Sequence, residues 1–187
     1  ETAAAEKVPG VEAVITGEGC RSLFVDLGIA DQHPMAVDKV RHEGEAVAAV
    51  VADDKWAAAE AADLVNVDYE VLPPVLDIDT AVGEGTPLVH ERQGEYARGE
   101  GVNFEEGTNV YHHYRLRKGD PAPVFDEAEF TEDNTFYMPH RSHTQIEPHA
   151  ALARWSEGEM EMYASTQAPF VVRNTLANML GIPWTSV

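Results

Sequence analysis

The sequence predicts an α+β fold built in two parts, on three observations. Residues 46–71 read as strand, helix, strand; residues 150–164 read as two short strands around Glu157-Gly158; and a Gly- and Glu-rich stretch without an apolar period, residues 83–107, lies between them. The expected organisation is residues 1–82, a linker at 83–107, and residues 108–187. With 187 residues, 44% hydrophobic and 25% charged, the chain has the balance of one that buries a core rather than stays disordered.

Alanine-rich Glu1 to Lys7 reads as the end of a helix. After the turn Pro9-Gly10, Val11 to Thr16 carries the β-branched residues of a strand. Ala46 to Ala52 is a continuous apolar run between Gly44 and Asp53-Asp54, which suits a buried strand. Asp53 or Asp54 can cap the next helix, Lys55 to Asp63, whose five alanines favour helix. The alternation of Val65, Val67, Tyr69 and Val71 predicts a further strand, ended by Pro73-Pro74 and parallel to Ala46–Ala52 through a right-handed crossover.

Beyond the linker the pattern gives a strand near Val110 to Leu116, a short helix around Pro123 to Ala128, and a strand near Thr131 to Met138. Ala150 to Trp155 and Glu159 to Ala164 form a hairpin by spacing. The closing helix, Pro169 to Leu180, presents Val172, Leu176, Met179 and Leu180 as a stripe, with Gly181 just past its end. Pro183 stops it, and Trp184 to Val187 reads as the start of another strand.

Charge excludes some function classes. A formal net charge of -20 repels nucleic-acid phosphates and anionic lipid, and leaves a solvated surface, a salt-adapted source or a basic partner subunit as its meaning. A single cysteine, Cys20, allows no internal disulfide and no iron-sulfur cluster, which takes about four thiolates. No apolar run approaches the ~20 residues of a membrane span. The chain is expected to be soluble and cytoplasmic, and, because it starts at Glu1 without a methionine, processed or internal.

Several residues could carry chemistry. His112, His113, His140, His143 and His149 cluster in sequence, but His112 and His113 face opposite ways on a strand and His140-x-x-His143 is followed by no aligning helix. Surface or loop-anchoring histidines are expected rather than a metal site. The polar segment Met138 to Ala150 can line a cleft, or Glu147 and His143 can satisfy backbone groups of a tight turn. Gln167 follows an apolar strand, so its amide is expected to be partly buried and to need a partner. That partner is either backbone at the start of the next helix or a ligand placed at the helix N-terminus. No phosphate loop, Gly-x-Gly-x-x-Gly, Gly-x-Ser-x-Gly or zinc spacing occurs.

An ordered series of motifs narrows these alternatives. Val8-Pro9-Gly10-Val11-Glu12-Ala13-Val14-Ile15-Thr16-Gly17, the run Asp38 to Ala48, and Val67-Asp68-Tyr69-Glu70-Val71-Leu72-Pro73 resemble the α/β hammerhead domain of the molybdenum hydroxylases, the xanthine dehydrogenase and aldehyde oxidoreductase family. Thr108-Asn109-Val110, Arg117-Lys118-Gly119-Asp120, Ile146-Glu147-Pro148-His149 and Ser165-Thr166-Gln167 continue the resemblance into the first part of the family's molybdopterin-binding α+β domain.

The resemblance implies a molybdopterin cofactor carrying molybdenum, and hydroxylation of an aromatic heterocycle or an aldehyde with oxygen drawn from water. Some relatives instead reduce an aromatic thioester. It also implies electron transfer to iron-sulfur clusters and a flavin such as FAD on partner chains, and it assigns Gln167 to the cofactor, near the apical oxygen of molybdenum. The family's Gly-Gly-Phe-Gly segment and its general-base glutamate would lie beyond Val187, and the opening strand of the hammerhead domain has no counterpart. No catalytic residue is therefore expected within this chain, Glu147 is not promoted to that base, and the chain is expected to be one piece of a molybdenum subunit, acting as enzyme component or as non-catalytic scaffold.

Overall fold

The structure is a computed structural model that describes residues 1–25 and 28–187. Its first part is a small two-layer unit. Strand β1 (Val11–Thr16) pairs antiparallel with β2 (Ala48–Ala52), setting Val14 opposite Val50, and the register shifts between Val11 and Ala13 so that Glu12 bulges. Helix α1 (Lys55–Asp63) covers one face of this pair. Ala5, Val8 and Ala61 are buried at the contact, with Val11, Val14, Val50, Ala57 and Val65 packed around them. Small side chains explain the close approach: a helix face of alanine lets the backbone lie against valines, and each buried valine contributes roughly 1.5 kcal/mol or more.

Asp54 caps α1, its carboxylate accepting from the backbone N–H of Trp56 (2.7 Å) and Ala57 (3.0 Å). Those two bonds hold the Asp54 carboxyl below its ordinary value. Asp77 does the same for the one-turn helix α2 (Ile78–Ala81), accepting from the Thr80 N–H at 2.9 Å.

Three expectations for this part change. β2 begins at Ala48 and alternates half-buried with exposed residues, because only one of its faces is covered. Residues 64–71 form no strand beside it; β2 pairs with β1 instead, and Asn66 exchanges backbone bonds with Glu1 (2.6 and 3.1 Å). Alternation signals that a segment can be a strand but does not choose its partner, which tertiary contacts decide. At the N-terminus only a single 3-10 turn, Ala5–Lys7, stands where a helix end is predicted.

Residues 83–107 wrap the surface but are well anchored. Asn109 fastens them: its side-chain oxygen accepts from Val89 N–H (2.9 Å), and its amide donates to the carbonyls of Ala81 and Pro87 (both 3.0 Å). Lys39 pairs with Glu91, Arg41 donates to the Val89 carbonyl, and Arg98 stacks 3.5 Å from the Phe104 ring centre.

In the second part, α3 (Ala122–Glu127), β3 (Ala151–Ser156), β4 (Glu159–Ala164) and α4 (Pro169–Leu180) lie where the sequence predicts them. The strands expected at Val110–Leu116 and Thr131–Met138 do not form among the described residues. The first segment is held by isolated bonds, His113 N–H to the Asn103 carbonyl (2.6 Å) among them, and the second is exposed along its whole length without a ladder partner. Trp184–Ser186 is a 3-10 turn, not a strand, closed by Ser186 N–H on the Pro183 carbonyl (2.9 Å).

Candidate functional site

The hairpin β3–β4 and helix α4 present the predicted site residue. The hairpin register runs from Ser156 opposite Glu159 to Ala151 opposite Ala164, and its two turn residues have φ of 54° (Glu157) and 85° (Gly158), the geometry that matches strand twist. β4 ends at Ala164, and Ser165, Thr166 and Gln167 carry the chain to α4. The Thr166 hydroxyl accepts from the Ala168 N–H at 3.0 Å. Ala168, at φ -127° and ψ 61°, precedes Pro169, and no side chain caps α4. Val171 and Val172 both donate to the Ala168 carbonyl, whereas the backbone N–H of Phe170 has no partner.

Gln167 is exposed, and its side-chain amide forms no hydrogen bond in this chain. This corrects the expectation of a partly buried amide: β4 stops three residues earlier, and the backbone at the helix start does not take the side chain up. The result is a neutral amide three residues before an unpaired backbone N–H, at a helix start that no side chain caps. The N–H donors of this set suit an oxo or other electron-rich oxygen, so the residues present fit an oxygen-rich cofactor.

The other candidates separate. The segment 138–150 is exposed throughout; Gln145 Nε2 lies 2.7 Å from His149 Nε2, and Thr144, at φ 46°, donates its N–H to the Ser142 hydroxyl at 3.2 Å. Ser142, not Glu147 or His143, therefore secures the turn. His112 Nδ1 accepts from the Asn103 N–H (3.1 Å), and His113 Nδ1 lies 3.4 Å from Glu105. No group of three or more His, Cys, Asp or Glu converges as a metal site among the described residues.

The described residues also enclose a cavity that no sequence motif marks. A cavity of about 370 Å³ opens between α2, residues 89–96 and residues 108–111, walled by Ile29, Val75, Ile78, Val89 and Tyr111. Gln93 also lines it, 8% exposed, donating to the Val110 carbonyl at 3.1 Å while its Oε1 has no partner. His90 bonds Tyr96 (3.1 Å), and burial, reinforced by Arg41, pushes its pKa down. A Gly- and Glu-rich stretch hides such residues, because the segments that enclose them are distant in sequence.

Comparison with known proteins bears on the family of this chain. Residues 1–73 match the a/b hammerhead domain of aldehyde oxidase and xanthine dehydrogenase, and residues 103–187 match the molybdopterin cofactor-binding domain. The probable hypoxanthine oxidase XdhD of Escherichia coli is 31% identical over 95% of this chain and 22% of its own length. The carbon monoxide dehydrogenase large chain of Hydrogenophaga pseudoflava is 30% identical over 98% of this chain and 24% of its own. Quinoline 2-oxidoreductase from Pseudomonas putida 86 superposes with a TM-score of 0.77 at 26% identity, covering all of this chain and 23% of that structure. The chain thus spans about a fifth to a quarter of these relatives. No described helix is long and apolar enough to cross a membrane. With two consecutive domain matches in the order the motifs predict, the chain belongs to the molybdopterin-binding large subunits of the xanthine dehydrogenase and aldehyde oxidoreductase family.

Proposed function

We propose that this chain is a component of a cytoplasmic molybdenum hydroxylase that oxidises an aromatic heterocycle or an aldehyde with water-derived oxygen. Residues 1–82 act as the hammerhead unit, 83–107 as the connecting strap, and 108–187 as the start of the molybdopterin-binding unit. The observation that carries the reading is Gln167, whose amide is unpaired beside the open start of α4 within the stretch that matches the molybdopterin cofactor-binding domain.

When bound, molybdopterin supplies the redox-active molybdenum through which substrate is oxidised. The chain's own part is to donate. Gln167 offers two N–H groups to an oxygen of the cofactor, and an oriented neutral donor stabilises charge there without the penalty of moving a proton. Base catalysis comes from polypeptide outside these residues, and electrons leave to iron-sulfur and flavin subunits of the assembly.

The test is the natively purified assembly. Molybdenum and iron should both be present, and Gln167→Ala should lower turnover by about 10² to 10³, the cost of removing one donor aimed at developing charge. Full turnover in Gln167→Ala would leave the chain as a scaffold.

A further inference from the structure

We propose that Thr166 is the positioning residue for Gln167. The inference rests on the reading that Gln167 faces the cofactor, and it concerns what aims that amide.

Gln167 makes no side-chain hydrogen bond, so what this chain fixes is the place and direction of its Cα–Cβ bond, from which the amide reaches out. Two features bracket that backbone. On the amino side, the Thr166 hydroxyl accepts from the Ala168 N–H at 3.0 Å, closing a ring that spans both torsions of Gln167. On the carboxyl side, Pro169 restricts Ala168 away from the helical region, where it sits at φ -127° and ψ 61°. Neither restraint suffices alone. Pro169 limits Ala168 but leaves Gln167 free, and no side chain caps α4 to fix the turn from the helix side. The Ala168 N–H also has no other partner. Among the described residues, the Thr166 hydroxyl thus makes the one side-chain hydrogen bond that restrains the Gln167 backbone, and it consumes no atom of the Gln167 amide.

The experiment compares Thr166→Val, which removes the hydroxyl and keeps the branched shape, with Thr166→Ser, which keeps the hydroxyl, each in the molybdenum-loaded assembly with and without Gln167→Ala. Hydrogen exchange at the Ala168 amide and the electron paramagnetic resonance signal of molybdenum are read beside the rate. Thr166→Val should speed Ala168 exchange and lower the rate about five- to tenfold, the worth of one ordinary hydrogen bond. It should shift the molybdenum signal, Thr166→Ser should restore it, and Thr166→Val should change neither signal nor rate further once Gln167 is alanine.

Three results overturn the inference. A Thr166→Val signal and rate equal to wild type, with Gln167→Ala altered in both, removes Thr166 and leaves the role of Gln167 standing. Effects of Thr166→Val that add fully to those of Gln167→Ala show that Thr166 acts on the fold rather than through Gln167. An unaltered molybdenum signal and rate in Gln167→Ala removes the role of Gln167 and the inference with it.

Discussion

Helices α1 and α4 differ in where their sequence supplies caps. α1 closes its N-terminus with its own Asp54, buries Ala61 completely, and packs on a sheet that belongs to the same unit. α4 leaves its N-terminus open behind Ala168 and Pro169, yet ends on a tight C-terminal turn in which Gly181, at φ 66°, lets Ile182 N–H reach the Ala177 carbonyl at 3.0 Å. The first helix spends its polar residues on itself; the second keeps its donors free at one end while fastening the other. The surroundings agree: Phe136, Met138 and Ile146 are 84, 87 and 98% exposed, apolar surface of the kind that other polypeptide covers. The first part is held by its own core, and the second presents surfaces.

The sharpest way to break this contrast is at Gly17, which precedes the packed loop of the first part. A Cβ there would sit 1.8 Å from the Ala36 carbonyl oxygen, a backbone atom that cannot step aside. Gly17→Ala should destabilise the first part by about 3 kcal/mol, read as a lower urea midpoint. Next is Asn109, whose three hydrogen bonds tie α2, Pro87 and Val89 together. Asn109→Ala leaves those backbone groups unpaired in a half-buried site and should cost about 2 kcal/mol by the same measurement. An equal loss from Asn178→Ala, on the exposed face of α4, would erase the distinction.

Gly181→Ala should act locally. An alanine in the left-handed region costs about 1 kcal/mol, so amide exchange along α4 should quicken while that of α1 stays unchanged. Acceleration in both helices would mean that the two parts unfold as one.

Much of this was legible in the sequence because it is local. Asp54 before an alanine run, Gly181 after an apolar stripe and Glu157-Gly158 between alternating strands are each fixed by chemistry within a few residues. What was not legible depends on partners far along the chain. The period-2 pattern of residues 65–71 predicts a strand parallel to β2, and none forms there, because β1 occupies the edge of β2 and Asn66 bonds Glu1 instead. Thr131 to Met138 shows the same limit, since a strand pattern without a neighbouring edge forms no ladder. At the site, the place of Gln167 between β4 and α4 is readable from the strand and helix patterns on either side of it. Its burial was not, because that depends on whether β4 reaches it, and β4 stops at Ala164.

The smallest expected effect is also the one that most sharpens the contrast, and it is a gain. Ala168→Asp gives α4 the cap that α1 already has. An aspartate there can accept from the unpaired Phe170 N–H or from Val171, as Asp54 accepts from Trp56 and Ala57. In peptide-like, exposed settings that exchange stabilises a helix by roughly 0.5 kcal/mol, so α4 amides should exchange more slowly in the variant. The same carboxylate uses up a donor beside Gln167 and places negative charge where an electron-rich oxygen is proposed to sit. Molybdenum content of the assembly should therefore fall while α4 becomes firmer. A rise in both would mean that the open end of α4 is an ordinary uncapped helix. Opposite signs would mean that the missing cap in α4 is what leaves room for the cofactor, the role that the cap of α1 does not have to serve.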